Sequence, residues 1–372
     1  MKRFGIVSYN IHCNFTNYGS ALQSWAIQQA IDRLGAGKWQ SVLLDYCPDV
    51  LRNKDKRNPI TYMWDTDEKT RRMCALSLPA IRENADKFDA FYDTQFRKTK
   101  RTYTSENFDR VIAEEALDGF VCGSDTIFSI DEFEGFDDGY YANYPCMRGR
   151  SVAYAVSFGD SHFTRDSCAV LKERLQNFKM LGLREPVMLP FVANNAHVPV
   201  RRVLDPTLLL SAEDYAPVTA PRQEERPYLL LYARRHNPEM SAFAEKMAEE
   251  KGWEIVEISL WADNAERHRM FYEAGVEEFL SLVKYAQFVV TNSYHGMIFS
   301  IQFQRNFLVF TREQCDTKIR ELLDLLGLAQ CLMSAAGKAV PADINYADVE
   351  KKIKTEAAQS LHFLKQALET LY

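Results

Sequence analysis

A chain of 372 residues is long enough for two domains with sizeable cores, which excludes a miniature disulfide scaffold. Hydrophobic residues make up 47% and charged residues 26%, the proportions of a globular chain, so a disordered or fibrous protein is excluded too. The formal charge of -6 leaves no global basic field to draw the protein to nucleic acid or an anionic membrane, so an anionic ligand must be held by local arginines.

The N-terminal MKRFGIVSYN has two basic residues and a short strand-like run broken by Asn10 and His12, which is not the pattern of a secretory leader. No apolar window reaches about 18 residues, so no membrane span is expected. The eight cysteines include no C-x-x-C pair, and the nearest two in sequence are Cys315 and Cys331. That spacing supports neither structural zinc nor a disulfide framework, and it points to a reducing cytosol.

In chain order, residues 3–9 form an apolar strand. A helix over 20–34 follows, with Leu22, Trp25, Ala26, Ala30, Ile31 and Leu34 at helical spacing, and then a buried strand over 41–46. Continuous apolar strands alternating with helices predict a parallel sheet covered on both faces. Residues 50–110 read as a charged, mostly helical insertion with basic runs at 52–57 and 96–101. They form a solvated flank, or a patch for an acceptor or membrane surface. Strands resume at 119–123, 151–157, 181–184 and 202–205, with a helix over 165–179. The polar, proline-bearing stretch 218–226 is a linker. A second α/β pattern follows: strands at 228–233, 253–259, 288–291 and 307–310, and helices at 239–251, 276–285 and 315–326. The expected division is an N-terminal domain 1–217, a C-terminal domain 218–346, and a last helix within 347–372 that packs back on the first domain.

Ligands of open parallel sheets gather beyond the carboxyl ends of the strands, which singles out five places. Asn17-Tyr18-Gly19 opens the first helix, where backbone N–H groups face an anion or a sugar hydroxyl, or form a plain cap. Gly123-Ser124-Asp125 sets a carboxylate at a strand exit, as a reactive group or as a cap. Beyond it Phe136, Tyr140, Tyr141 and Tyr144 are aromatic platforms for sugar rings or core packing. Arg184-Glu185 is a charged pair at another strand end. In the second half Arg234-Arg235-His236 leaves a buried strand, and two adjacent guanidiniums suit a multiply charged oxyanion. The most informative segment is FVVTNSYHGMIFS at 288–300. There Asn292, Ser293, His295 and Gly296 surround a helix N-terminus, and an imidazole so placed can shuttle a proton near neutral pH. Neither nucleotide fingerprint, G-x-G-x-x-G nor G-x-x-x-x-G-K-[ST], is present.

Taken together, TNYGSALQSWAI, GFVCGSDTIFS, SVAYAVSFG, LGLRE, RRVLDPTLLL, YLLLYA and AQFVVTNSYHGMIFSIQF resemble the polysaccharide pyruvyl transferase family, over most of residues 1–330. The resemblance implies two Rossmann-like parallel-sheet domains facing a cleft, as in the GT-B fold. It also implies phosphoenolpyruvate as donor, a saccharide or lipid-linked oligosaccharide diol as acceptor, and a cyclic pyruvate ketal as product of surface polysaccharide synthesis. Phosphoenolpyruvate is then a co-substrate, and the reaction itself calls for no metal or redox cofactor. The expected location is the cytoplasm, with basic runs able to rest on the inner membrane face. On this reading His295 and Asp125 are catalytic. Arg184, Arg234, Arg235, Asn292, Ser293 and Gly296 bind the donor; Asn17, Tyr18, Gly19, Ser124, Tyr140 and Tyr141 bind the acceptor; and the 50–110 insertion stays on the acceptor side.

The chain departs from the family pattern at Thr126 and Phe128, where Gln and Trp are common, and at Ser293, where some members carry an arginine. The last change shifts anion charge onto Arg184, Arg234 or Arg235. Two other classes share the architecture: a nucleotide-sugar glycosyltransferase and a non-catalytic carbohydrate-binding relative. Glutamates eight apart mark many donor loops of the former. Here Glu249 and Glu257 have that spacing but straddle a helix end and a strand.

Overall fold

The computed structural model describes residues 1–63, 67–312, 316–333 and 343–372. Cys315, where a helix was expected to begin, lies outside them. The first sheet holds β1 (Lys2–Val7), β2 (Trp39–Tyr46), β3 (Lys98–Tyr103), β4 (Gly119–Cys122), β5 (Ser151–Val156), β6 (Phe178–Leu183) and β7 (Val200–Arg202). The second holds β8 (Tyr228–Tyr232), β9 (Glu254–Ile258), β10 (Arg269–Met270), β11 (Phe288–Thr291), β12 (Phe307–Phe310) and β13 (Leu332–Met333). The helices are α1 (Tyr18–Gly35), α2 (Glu68–Leu76), α3 (Leu78–Gln95), α4 (Val111–Glu115), α5 (Arg165–Leu175), α6 (Leu189–Asn195), α7 (Pro238–Lys251), α8 (Val276–Tyr285), α9 (Tyr294–Gln302), α10 (Asp316–Leu326) and α11 (Tyr346–Glu369).

Strand order is β3-β2-β1-β4-β5-β6-β7 in the first sheet and β10-β9-β8-β11-β12-β13 in the second. Every pairing is parallel, as the fully buried central strands β4, β5, β8 and β11 require. The order reverses between β1 and β4, and again between β8 and β11. Loops diverge at such switch points and leave a crevice at the carboxyl ends of the strands. The loops after β1, β4, β8 and β11 carry most of the residues singled out in the sequence.

One apolar core runs through both domains. Helix α1 is buried along most of its length, capped by Asn17 at one end and by Ala36 in the left-handed region at the other. It packs on β2 and also on α8 and α9 of the second domain. Its Tyr18 ring stacks on Phe279 at 4.3 Å, and the Tyr18 hydroxyl donates to the carbonyl of Ala274 at 2.7 Å. After the second sheet is complete, α11 returns to lie on β5 and β6. There Leu204 N donates to Ser360 Oγ at 3.0 Å and Arg202 pairs with Glu356 at 2.7 Å.

Three sequence expectations change. The helix expected over 165–179 stops at Leu175, because β6 already begins at Phe178. The basic run at 96–101 is not helical: Lys98–Tyr103 is edge strand β3, whose Lys100, Arg101 and Thr102 face solvent while Thr99 and Tyr103 turn inward. An edge strand with charges outward resists pairing with a second chain. The strand expected at 202–205 ends at Arg202, and Asp205 instead caps a 3-10 turn, Pro206–Leu208.

Helices α2 and α3 tie the 50–110 insertion to the second domain. Lys87 pairs with Glu278 at 2.9 Å, Ser77 Oγ donates to the carbonyl of Leu260 at 3.3 Å, and Asn84 Nδ2 donates to the carbonyl of Ala274. No helix among the described residues is long and apolar enough to cross a membrane.

Candidate active site

Strand β11 ends at Thr291, and Ser293 caps α9 by accepting from Gly296 N at 3.2 Å. Asn292 does not point free into a ligand site. Its Oδ1 accepts from Arg234 N and its Nδ2 donates to the carbonyl of Arg235, both at 2.8 Å. The direct donor contacts expected of the Asn292 and Ser293 side chains therefore become framing roles: one fixes the arginine loop, the other the helix end that presents His295.

The His295 ring lies against Gly19, where a Cβ would overlap Nδ1; only glycine lets the N-terminus of α1 approach this closely. Its Nε2 is 3.4 Å from Asp205 Oδ2, close but without hydrogen-bond alignment. Asp205 also takes Arg184 Nη1 at 3.0 Å, Thr207 N at 3.0 Å and Thr207 Oγ1 at 2.7 Å. Burial alone raises the Asp205 pKa, but His295 and Arg184 outweigh it and hold the carboxyl well below the usual range. Arg184 completes the chain: its Nε donates to Glu185 at 3.0 Å, and its guanidinium lies 5.2 Å over the Tyr294 ring. Its Nε and Nη1 are held in a buried ion-pair network behind His295, while Nη2 has no hydrogen-bond partner among the described residues.

On the first domain, Gly123 takes φ +126°, which a side chain resists, and a Cβ there would collide with the carbonyl of Tyr154. This turn carries Ser124, whose N–H donates to Gln23 Oε1 at 3.0 Å and whose Oγ donates to the carbonyl of Ala155 at 2.7 Å. Ser124 is wholly buried, so it shapes the turn and does not meet an acceptor. Asp125 accepts from Ser20 Oγ at 2.5 Å and from Thr126 N at 2.8 Å.

Tyr140 and Tyr141 are likewise enclosed, which corrects the expectation that they bind the acceptor. The Tyr141 ring stacks on Phe128 at 4.3 Å and its hydroxyl donates to the carbonyl of Phe128 at 2.7 Å, while Tyr140 packs edge-on to Phe133 at 4.9 Å. Aromatic packing has claimed both rings.

Between the sheets lies a cavity of about 450 Å³, lined among others by Asn17, Glu132, Arg234, Arg235, Trp261 and Arg312. Arg234 Nη1 donates to the carbonyl of Thr16 at 3.0 Å and so bridges the two domains across it. Tyr18 borders the cavity too. Tyr62, Met63, Thr70 and Met73 of the insertion line the same wall system as the arginines, so the insertion is not confined to a separate acceptor side.

Neither His295 nor Asp125 lines this space. His295 is reached through Gly19, next to Asn17, and Asp125 through Thr126, whose hydroxyl donates to Glu132 Oε2 at 2.6 Å. Asp205, Glu132 and Arg312 were not singled out in the sequence. For Asp205 the Asp-Pro pair of RRVLDPT was the available signal, since it favours a turn over a strand.

Two parallel-sheet α/β domains with a polar, arginine-bearing cleft between the carboxyl ends of their strands define a GT-B-like protein. The chain belongs to the polysaccharide pyruvyl transferase family, whose model matches residues 17–314. No curated protein matches it. Among solved structures it is similar to a Staphylococcus aureus MnaA-UDP complex, at 12% identity and a TM-score of 0.52, covering 100% of this chain and 92% of that one. It is also similar to a putative UDP-N-acetylglucosamine 2-epimerase from Listeria monocytogenes, at 11% identity and a TM-score of 0.51, covering 100% and 90%. At these identities the likeness concerns the fold.

Proposed function

We propose that the protein moves the pyruvyl unit of phosphoenolpyruvate onto a saccharide diol, forming a cyclic ketal and releasing phosphate, in the synthesis of a surface polysaccharide. The observation that carries this reading is the cleft that gathers Arg234, Arg235 and Arg312, with the arginine loop bonded through Asn292 to the segment that opens α9 and carries His295. A donor with both a carboxylate and a phosphate needs several guanidiniums, and charge leaving with phosphate needs a helix N-terminus and a proton carrier. In this reading α9 and His295 serve the phosphate end. Asn17 and Gly19 frame the acceptor side, and Asp125 supports it from behind through the N–H and hydroxyl of Thr126.

The glycosyltransferase alternative loses its sequence support here. Glu257 is buried and bonded to His268 Nδ1 at 2.5 Å, while Glu249 lies exposed on α7, so the two form no joint donor site. The seven described cysteines are all unpaired, which supports a reducing compartment such as the cytoplasm.

Contact with an anionic membrane has less support. In the basic run 52–57, Arg52 pairs with Asp49 and Glu106, Lys56 with Asp89, and Arg57 with Asp86 and Asp89.

The reading is tested by incubating the protein with phosphoenolpyruvate and saccharides bearing 1,2- or 1,3-diols, following phosphate and the mass of the saccharide. Stoichiometric phosphate and pyruvylated sugar are expected. Stabilisation by a nucleoside diphosphate and not by phosphoenolpyruvate would move the protein to the glycosyltransferase class.

A further inference from the structure

Two carboxyl groups line the cleft, and they differ in kind. Asp67 is exposed and accepts from Thr70 N at 2.9 Å as the cap of α2, an arrangement that favours the ionised form. Glu132 faces the cavity from the loop after β4, and this loop is anchored. Phe133 is buried, with its ring 5.4 Å from Tyr9 and 4.9 Å from Tyr140; Glu132 N donates to Ser129 Oγ at 3.1 Å; and Gly135 N donates to the carbonyl of Ile130 at 2.8 Å.

The Thr126 hydroxyl orients the carboxyl at 2.6 Å and also approaches Asp125 Oδ1 at 3.5 Å. The short Thr126 hydroxyl thus connects the two acids. Among the described residues, these groups bear on Glu132. Asp125 lies behind it, Tyr9 and Tyr140 beside it, and Arg234 and Lys318 approach from the second domain.

We propose that Glu132 is the proton-exchanging group of the cleft, delivering a proton to the methylene carbon of phosphoenolpyruvate and recovering one from the attacking acceptor hydroxyl, with Thr126 as its positioning residue. The assignment rests on the pyruvyl-transfer reading above.

The step balances. The Glu132 O–H bond breaks as the electron pair of the enol double bond forms the new C–H bond, which leaves the adjacent carbon electron-deficient and stabilised by the phosphate ester oxygen. The first acceptor oxygen bonds to that carbon, and its proton returns to the Glu132 carboxylate. The carbon–oxygen bond to phosphate then breaks, the second hydroxyl closes the ring, and its proton leaves with phosphate. One donor and one diol become one ketal and one hydrogen phosphate, and Glu132 ends as it began.

Burial raises the Glu132 carboxyl more than the Thr126 hydrogen bond lowers it; Asp125 raises it further, Lys318 and Arg234 pull it down, and it settles at about 7. His236, also on the cavity wall, is pushed below its ordinary value by burial and by Lys69, and its ring stacks on Trp261 at 3.6 Å. A general acid must be protonated to act, so turnover falls as pH rises through about 7.

The test is the pH profile of kcat/KM for the wild type, Glu132→Gln, Glu132→Asp and Thr126→Val, with donor affinity measured alongside. Glu132→Gln is expected to lower kcat by roughly 10² to 10⁴ and to abolish the limb near 7, with donor affinity undiminished. Glu132→Asp should restore the limb at reduced kcat, and Thr126→Val should shift it. If the wild type turns over and Glu132→Gln keeps both the limb and a kcat within about threefold, the role of Glu132 is wrong and the pyruvyl-transfer reading stands. If the wild type releases no phosphate with any diol, that reading fails and the role falls with it.

Discussion

Gly19 and His295 meet face to face across the domain boundary, one at the N-terminus of α1 and the other at the N-terminus of α9, with no room between them for a methyl group. Two helix ends therefore point at one imidazole. Gly19→Ala is expected to push the ring out of place and to lower kcat by roughly 10² while leaving α1 intact, since alanine suits a helix better than glycine. Circular dichroism and steady-state kinetics together check this; unchanged kcat would show that the close approach has no functional weight.

Arg184, Asp205 and His295 form a buried chain whose middle member is indispensable to the other two. Asp205→Asn removes the charge that Arg184 relies on, and breaking a buried pair costs about 3–5 kcal/mol, which urea unfolding measures. The pH dependence has a definite sign. Because the folded pKa of Asp205 is depressed, its contribution is fully present above the unfolded value near 3.9, declines as pH falls below that, and is lost through the lower folded value. The wild type should therefore lose stability below about pH 4, and the Asn variant should lose less over the same range.

Arg234 and Arg235 leave β8 together, and Asn292 holds the backbone of both. Replacing both arginines by alanine is expected to weaken phosphoenolpyruvate binding by about 2–4 kcal/mol, the scale of charge-assisted hydrogen bonds. Calorimetric titration decides it. Undiminished affinity would place the donor elsewhere in the cleft.

Tyr141 is a core residue, so its variants should register in stability and not in acceptor KM. Tyr141→Ala is expected to cost about 3–5 kcal/mol, and Tyr141→Phe about 1 kcal/mol for the lost bond to the Phe128 carbonyl. A raised acceptor KM in a stably folded Tyr141→Phe protein would restore a binding role.

The central strands and the helices α1, α7, α8 and α9 were legible because continuous apolar runs and helical periodicity are local signals. β3 was not, because an edge strand that faces water has no apolar face to betray it, and Lys98–Tyr103 carries charge where a central strand would carry Val or Ile. The carboxyl-end loops were legible as candidate positions, since parallel topology dictates where ligands gather. What each side chain does there was less so. Asn292 and Ser124 are polar residues at strand ends whose hydrogen bonds turn inward, and only the tertiary structure says which way they turn. Glu132 and Arg312 come to the cleft on loops without periodicity, from sites 180 positions apart in the chain, so no spacing could connect them.

The most direct test of the central claim is phosphate release from phosphoenolpyruvate in the presence of a diol saccharide, comparing the wild type with His295→Ala. Pyruvyl transfer through this cleft predicts acceptor-dependent phosphate in the wild type and a kcat lower by roughly 10² to 10⁴ in a folded His295→Ala variant. Acceptor-dependent phosphate release at a near wild-type kcat in His295→Ala would contradict it.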